Sequence, residues 1–341
     1  MMGAGTITRG VPARTRPRLG FLGVGWIGRH RMGAIAESGV AEIAAMADAS
    51  EAALESAREH APDCGVAGSF EELLDAELDG IVIATPSAMH AAQAIEALEH
   101  GVAVFCQKPL ARTAAETQRV IEAARAANRL LGVDLSYRFT EAMQRIRQLV
   151  QGGELGSIFA VDLVFHNAYG PDKPWFFDPR LSGGGCVIDL GIHLVDLALW
   201  TLGSPRVTRA TSRLFSRGEP LRDALTQVED FAEARMDLEG GAAVRLACSW
   251  NLPAGRDAVI EASFYGTGGG AAMRNVNGSF FDFRAERFRG TARETLSEPP
   301  DAWGGRAAVE WARQLERDNR FDPAVEHLVN VAAALDAIYG R

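Results

Sequence analysis

Lysine is nearly absent from this chain. Of its 35 basic residues only Lys108 and Lys173 are lysine, and the other 33 are arginine; a lysine that survives such a bias calls for a reason. Cysteine is scarce as well. Cys64, Cys106, Cys186 and Cys248 show no CxxC or CxxH spacing, which argues against a zinc site or a disulfide framework and points to reduced, mostly buried thiols in a cytoplasmic protein. No metal is expected. With a net charge of −9 and no basic stripe, the chain has nothing to neutralise a phosphate backbone, so nucleic acid is excluded as a partner. No apolar run approaches the roughly 20 residues that span a bilayer, so no membrane is expected. Residues 1–17 hold Arg9, Arg14 and Arg16 without an acid. They lack the apolar stretch of a signal peptide and read as a flexible tail.

What is present is ordinary globular material: 341 residues, 47% hydrophobic and 23% charged, enough for two domains and a cleft between them. From Arg18 an apolar run, a glycine-rich turn, a helical stretch and a second apolar run ending at Asp48 read as strand, helix, strand. The rhythm repeats through a helix near 50–60, a strand in DGIVIATP, a helix from Ala88 to Glu99, a strand in VAVFC, a helix over 113–127 and a strand in RLLGVDLSYRF. Thr113 followed by Glu116 has capping-box spacing. Strands alternating with helices imply right-handed crossovers and a parallel sheet.

After Phe139 the pattern changes. A helix closed by glycines precedes strands at 157–166, 206–216, 226–238, 242–251 and 257–265. Apolar and polar residues alternate about a Glu-Gly-Gly turn, as in antiparallel strands with one covered face. One strong helix, VIDLGIHLVDLALWTLG, interrupts them, and a last one starts at Pro323 and closes on glycine.

Gly23-Val24-Gly25-Trp26-Ile27-Gly28 is G-x-G-x-x-G. It follows a predicted strand and opens a helix, and Asp48 stands 20 residues beyond Gly28 at the end of the next strand, which is the context a dinucleotide fingerprint requires. The helix N-terminus would offer N–H groups to the pyrophosphate. Asp48 would accept hydrogen bonds from the adenosine ribose and repel a 2′-phosphate; this favours NAD, and Arg58 or another basic group leaves NADP open.

IATPSAMHAAQAIEALEHGVAVFCQKPLA resembles the corresponding stretch of the glucose-fructose oxidoreductase, inositol dehydrogenase and MocA family (Gfo/Idh/MocA). There a Thr-Pro turn (Thr85, Pro86), a His four residues on (His90) and a strand ending in Glu-Lys-Pro are typical. SGGGCVIDLGIHLVDLALWTLG is similar to that family's Gly-Gly-Gly followed by Asp-x-Gly-x-His-x-x-Asp. The resemblance covers nearly all of the chain after residue 18, with one departure: Gln107 stands where the family carries Glu.

That resemblance implies an α/β architecture: a Rossmann domain with a doubly wound parallel sheet over 18–138, then a substrate and oligomerisation domain with a large, open, mostly antiparallel sheet over 139–322. A C-terminal helix over 323–341 would pack back towards the Rossmann domain. It further implies a homodimer or homotetramer formed through the open sheet, and catalytic positions at Lys108, Asp189 and His193. The cofactor would be held by the glycine loop, Asp48, Thr85, Pro86, His90, Gln107 and Lys108.

The residues carry their own chemistry. Asp189 and His193 are four apart on a predicted helix and share a face, set among apolar residues that would desolvate them. Oxidising a secondary alcohol needs a base, and imidazole titrates near neutral pH, so His193 is expected to move the proton and Asp189 to orient it and the substrate. Lys108, at the carboxyl end of the parallel sheet, would stabilise alkoxide charge. Arg138, His166, Tyr169, Lys173 and Trp175 are expected to meet substrate hydroxyls, while His90 supports its turn. The function expected is NAD(P)-dependent hydride transfer on a sugar, sugar acid or cyclitol. Two alternatives stay open: a non-catalytic NAD(P)-binding regulator, and a glycosidase-type enzyme that uses NAD transiently.

Overall fold

A computed structural model of the protein describes residues 16–341. The expected flexible tail lies outside the described residues except for Arg16 and Pro17. Six strands, β1 (Arg18–Leu22), β2 (Glu42–Ala47), β3 (Gly65–Val66), β4 (Gly80–Ile83), β5 (Ala103–Cys106) and β6 (Leu131–Val133), form a parallel sheet in the order β3-β2-β1-β4-β5-β6. Every residue of β4 and β5 is buried, because helices cover both faces and leave no side for water. Those helices include α1 (Trp26–Ser38), α2 (Glu51–Ala57), α3 (Phe70–Leu74), α4 (Ser87–Glu99) and α5 (Ala114–Ala127). Thr113 caps α5 by accepting from Glu116 N at 3.2 Å. Only half of the capping box forms, since the Glu116 carboxylate turns to Arg112 N instead. Strand order reverses between β1 and β4, which opens a crevice at the strands' carboxyl ends.

The second sheet has nine strands: β7 (Ile158–Asn167), β8 (Val207–Ser216), β9 (Glu219–Pro220), β10 (Phe231–Leu238), β11 (Ala243–Ser249), β12 (Ala258–Gly266), β13 (Gly269–Asn275), β14 (Phe283–Arg289) and β15 (Ala292–Ser297). Their order is β15-β14-β13-β12-β7-β11-β10-β8-β9, antiparallel except for the central β7–β11 pair. One face packs on α6 (Glu141–Gln151) and α8 (Ile192–Thr201), with α10 (His327–Tyr339) laid along β8. The other face is uncovered and carries Glu233, Arg235 and Arg245.

Three features depart from the sequence reading. Strands β3, β9 and β13 to β15 and helices α3 and α9 (Arg306–Arg317) were not foreseen, and the strand expected over 226–238 begins only at Phe231. Although α9 lies within 139–322, it packs on the first sheet: Trp311 meets Phe105 at 5.5 Å between ring centres, and Ala308, Ala312 and Leu315 join the core around Leu19 and Phe21. The third concerns apolar length. Pro179–Thr201, through the short α7 (Pro179–Ser182) and α8, is by length and composition apolar enough to cross a membrane; 83% of its apolar window is buried inside the protein, as the core of the second domain.

Helix α10 touches α5 of the first domain and α8 and β8 of the second. Asp336 accepts from Ala114 N at 2.8 Å, and Arg341 donates to Arg112 O and Gly183 O. All four cysteines are buried and unpaired; Cys186 and Cys248 come within 3.8 Å, beyond a disulfide bond length of about 2.05 Å.

Because Trp311 fills the space over β5 from a distant segment, Trp311→Ala is expected to lower unfolding free energy by about 3–5 kcal/mol. Urea denaturation followed by circular dichroism measures this, and a loss within error would mean that α9 does not brace the first sheet.

Candidate active site

The crevice at the sheet reversal meets the second domain in a cleft of about 910 Å³. Its floor on one side is the glycine loop. Gly23 adopts φ +85° and donates to Ala47 O, and a Cβ at Gly28 would lie 2.1 Å from Gly23 O. These two positions therefore require glycine for the turn and for the close packing of helix on strand. Gly25 faces open space. It caps α1 with no side-chain hydrogen bond and no acid in the first turn, so the helix N–H groups are free for an anion. This cradle fits a dinucleotide pyrophosphate.

Asp48 accepts from Val24 N at 2.7 Å and Ser50 N at 2.8 Å, clamping the loop to the end of β2. Trp26 (66% exposed), Ile27, Thr85 and Pro86 line the cleft. Thr85 Oγ1 donates to Gln93, while His90 is buried with its two ring nitrogens 2.7 Å from Thr85 O and Pro109 O. As expected of a supporting residue, it ties the Thr-Pro turn to the segment after Lys108.

Lys108, Asp189 and His193 converge on the cleft. Lys108 Nζ donates to Asp189 Oδ1 at 2.7 Å and to Asp189 O at 2.8 Å; both side chains are about one-fifth exposed. Asp189 does not orient His193. Residues Val187–Gly191 form a π-helical turn ahead of α8, and this wider turn breaks the simple four-residue spacing, a local irregularity common at functional sites. The second Asp189 oxygen accepts from Trp250 Nε1 at 3.0 Å. His193 instead lies against Tyr137, 4.8 Å between ring centres, and among the described residues nothing hydrogen-bonds its Nδ1. Burial, then the charges of Lys108 and Arg31, hold the imidazole well below its ordinary pKa, so it is neutral, able to accept a proton, throughout the neutral range.

The π turn is braced from below by Glu229, fully buried on the segment leading into β10. Its carboxylate accepts from Gly185 N, Val187 N and Tyr339 OH, and burial raises its pKa against those hydrogen bonds. A Cβ at Gly185 would lie 1.9 Å from Glu229 O, which explains one glycine of the Gly-Gly-Gly run. Glu229 and Trp250 were missed in the sequence; both sit at strand ends, where alternation carries no signal for a long-range partner.

Of the five expected substrate contacts, Lys173 and Trp175 line the cleft. Three do not. Arg138 is committed to Asp196, at 2.7 Å through Nε, and to His327, and packs over Trp200. His166 follows Phe165 on β7, and alternation sends it to the side opposite that core residue, where it meets Ser249 Oγ at 2.8 Å and stacks on Phe231. Tyr169 is exposed and donates to Asp257. The cleft wall comes instead from Tyr137, Phe176, Phe281 and Trp303.

The comparisons agree with this layout. Residues 18–135 match the profile described as oxidoreductase family, NAD-binding Rossmann fold, and residues 143–272 match the GFO/IDH/MocA C-terminal domain. Over 263 residues the chain is 31% identical to the rhizopine catabolism protein MocA of Rhizobium meliloti, covering 76% of this chain and 79% of that one. The chain belongs to the Gfo/Idh/MocA oxidoreductase family. A second family relative, D-glucoside 3-dehydrogenase of Escherichia coli (strain K12), is 28% identical over 211 residues, 59% of this chain and 60% of that protein, less than two thirds of its length. Levoglucosan dehydrogenase in complex with NADH and levoglucosan shares the fold, with a TM-score of 0.81, 20% identity, and coverage of 95% of this chain and 96% of that one.

A histidine whose pKa is depressed on folding binds fewer protons folded than unfolded. It stabilises the protein above the unfolded value near 6.5 and loses that contribution as pH falls towards the folded value. Melting temperature is therefore expected to drop between pH 7.5 and 5.5, and His193→Asn is expected to drop less. Parallel slopes for the two proteins in differential scanning fluorimetry would contradict the burial of a neutral His193.

Proposed function

We propose that this family member interconverts a CH–OH group and its carbonyl on a sugar, sugar acid or cyclitol, with NAD as cofactor. The observation that carries this reading is Lys108 Nζ, held on Asp189 by two hydrogen bonds in the cleft that Gly25 of the glycine loop and His193 also line. When bound, the nicotinamide supplies the two-electron acceptor or donor. The loop Gly23–Gly28 and the α1 N-terminus would hold its pyrophosphate, and Asp48 its adenosine ribose. Arg58, one basic group that could have met a 2′-phosphate, is turned to Pro62 O and Glu55, and this supports NAD.

An ammonium has three N–H donors, and two of those on Lys108 are used. The third is free to donate to the substrate oxygen and stabilise alkoxide charge as it develops. His193, held neutral at the cleft wall, takes the hydroxyl proton in oxidation and returns it in reduction; its Nδ1 is buried, which leaves Nε2 as the nitrogen to meet substrate. Asp189 acts through Lys108, fixing where the ammonium sits. Trp175, half-buried at the cleft, offers a flat apolar surface that suits the C–H side of a carbohydrate ring, and Lys173 adds a donor at the rim. The names of relatives such as D-apiose dehydrogenase and D-glucoside 3-dehydrogenase support a carbohydrate substrate.

We place the protein in the cytoplasm on the strength of its four unpaired thiols. The uncovered face of the nine-stranded sheet, with Arg245 and Asp162 paired at 2.6 Å, supports a homodimer or homotetramer; sedimentation at micromolar concentration is expected to give one of those masses, and a monomer would refute it.

Kinetics test the site. Lys108→Arg keeps charge but not the compact donor, and kcat is expected to fall about 100-fold or more. His193→Ala is expected to lower kcat by about 100-fold to 10,000-fold. Turnover of Lys108→Arg near wild type, assayed as NADH formation over a panel of sugars and cyclitols, would remove Lys108 from the mechanism.

A further inference from the structure

The family resemblance leaves Gln107 unexplained, and the neighbouring strand explains it. Strands β5 and β6 pair in parallel with Cys106 opposite Val133, so Gln107 and Asp134 leave their strand ends side by side. Gln107 N donates to Ile83 O and Asp134 N to Cys106 O, both at 2.9 Å. Gln107 is 7% exposed and Asp134 1%. Gln107 Nε2 donates to Asp134 Oδ2 at 2.5 Å, and Arg31 Nε donates to the same oxygen at 2.5 Å. Ser136 Oγ donates to Asp134 Oδ1 and accepts from Arg31 Nη2 at 3.0 Å.

A carboxylate only accepts. The amide must therefore turn its NH₂ to Asp134, which aims Oε1 the other way. Gln107 lines the cleft next to Lys108, and among the described residues no donor reaches Oε1. We infer that Asp134 is a positioning residue: it requires an amide at 107 and presents Gln107 Oε1 to the cleft as an uncharged acceptor for a ribose hydroxyl of the dinucleotide. This rests on the dinucleotide reading of the cleft.

A glutamate at 107 would set a second carboxylate against Asp134 on the adjacent strand, and like charges placed directly opposite destabilise a sheet. Arg31 alone would face both. The negative charge that the family resemblance expects at 107 has moved one strand over, to 134. The other titratable and charged groups around the pair are His30 on α1, Cys106, whose thiol burial and Asp134 push up, Lys108 and, from the second domain, His193.

Four proteins test this: Gln107→Glu, the swap Gln107→Glu/Asp134→Asn, Gln107→Met, and the parent. In thermal melts without ligand, Gln107→Glu is expected to melt at least about 5 °C below the parent at pH 8, with the gap narrowing at pH 5.5 as the two carboxylates share a proton. The swap is expected to recover most of that loss at pH 8. In a fluorescence titration with NADH, Gln107→Met is expected to bind about tenfold more weakly, while the swap, which keeps an acceptor oxygen at 107, stays within about threefold of the parent. A swap no more stable than Gln107→Glu overturns the inference, and so does a folded Gln107→Met that binds NADH as tightly as the parent. Neither measurement needs turnover; failure to oxidise any carbohydrate would strike the proposed reaction and leave this result standing.

Discussion

The contact between Lys108 and Asp189 joins the two halves of the molecule at the point where chemistry would take place. One partner ends a strand of the parallel sheet and the other sits in a π-helical turn of the second domain, 81 residues away. The pair is about four-fifths buried, and the cost of taking both charges out of water offsets much of their attraction. Its importance is geometric: it fixes the distance between the dinucleotide loop, which Gly23 and Gly28 shape, and the wall that carries His193. Most of the surrounding architecture serves that alignment, from α10, which touches both domains, to Glu229 and Trp250, which hold the π turn from behind and from the side.

The electrostatics follow from the same arrangement. Lys108 and Arg31 both act on His193 as cations, and each is paired with a carboxylate that makes no hydrogen bond to the imidazole: Asp189 for the first and Asp134 for the second. His193 thus experiences positive charge and burial without an acidic partner, and its pKa falls. A carboxylate on its ring would have done the opposite. A base that stays neutral in the resting site gives up some proton affinity, but it is always in the form that can receive a proton.

Much of the first domain was legible in the chain. Five of its strands, four of its helices, the Thr113 cap and the glycine loop are products of local pattern, whereas the short β3 and α3 were not foreseen and the strand expected through RLLGVDLSYRF stops at Val133. The second domain was read less completely. Strands β9 and β13 to β15 and α9 escaped notice, and α9 packs on the first sheet because an amphipathic helix can bury its stripe against any apolar surface within reach. In the site, Lys108, Asp189 and His193 line one cleft, but Asp189 holds Lys108 and not His193, and Arg138, His166 and Tyr169 are spent on Asp196, Ser249 and Asp257.

That division has a physical cause. Spacing along a chain determines which residues share a turn, a strand face or a helix end, because those relations depend on a few consecutive dihedral angles; on this basis the sequence alone could locate the dinucleotide loop and single out Lys108 as exceptional. It could not determine partners. Whether Asp189 turns to His193 or to Lys108 depends on a π turn braced by a glutamate 40 residues further on. The amide at 107 has a reason only beside a carboxylate on the next strand. Such contacts are set by how sheets and helices pack, and only the tertiary structure decided them.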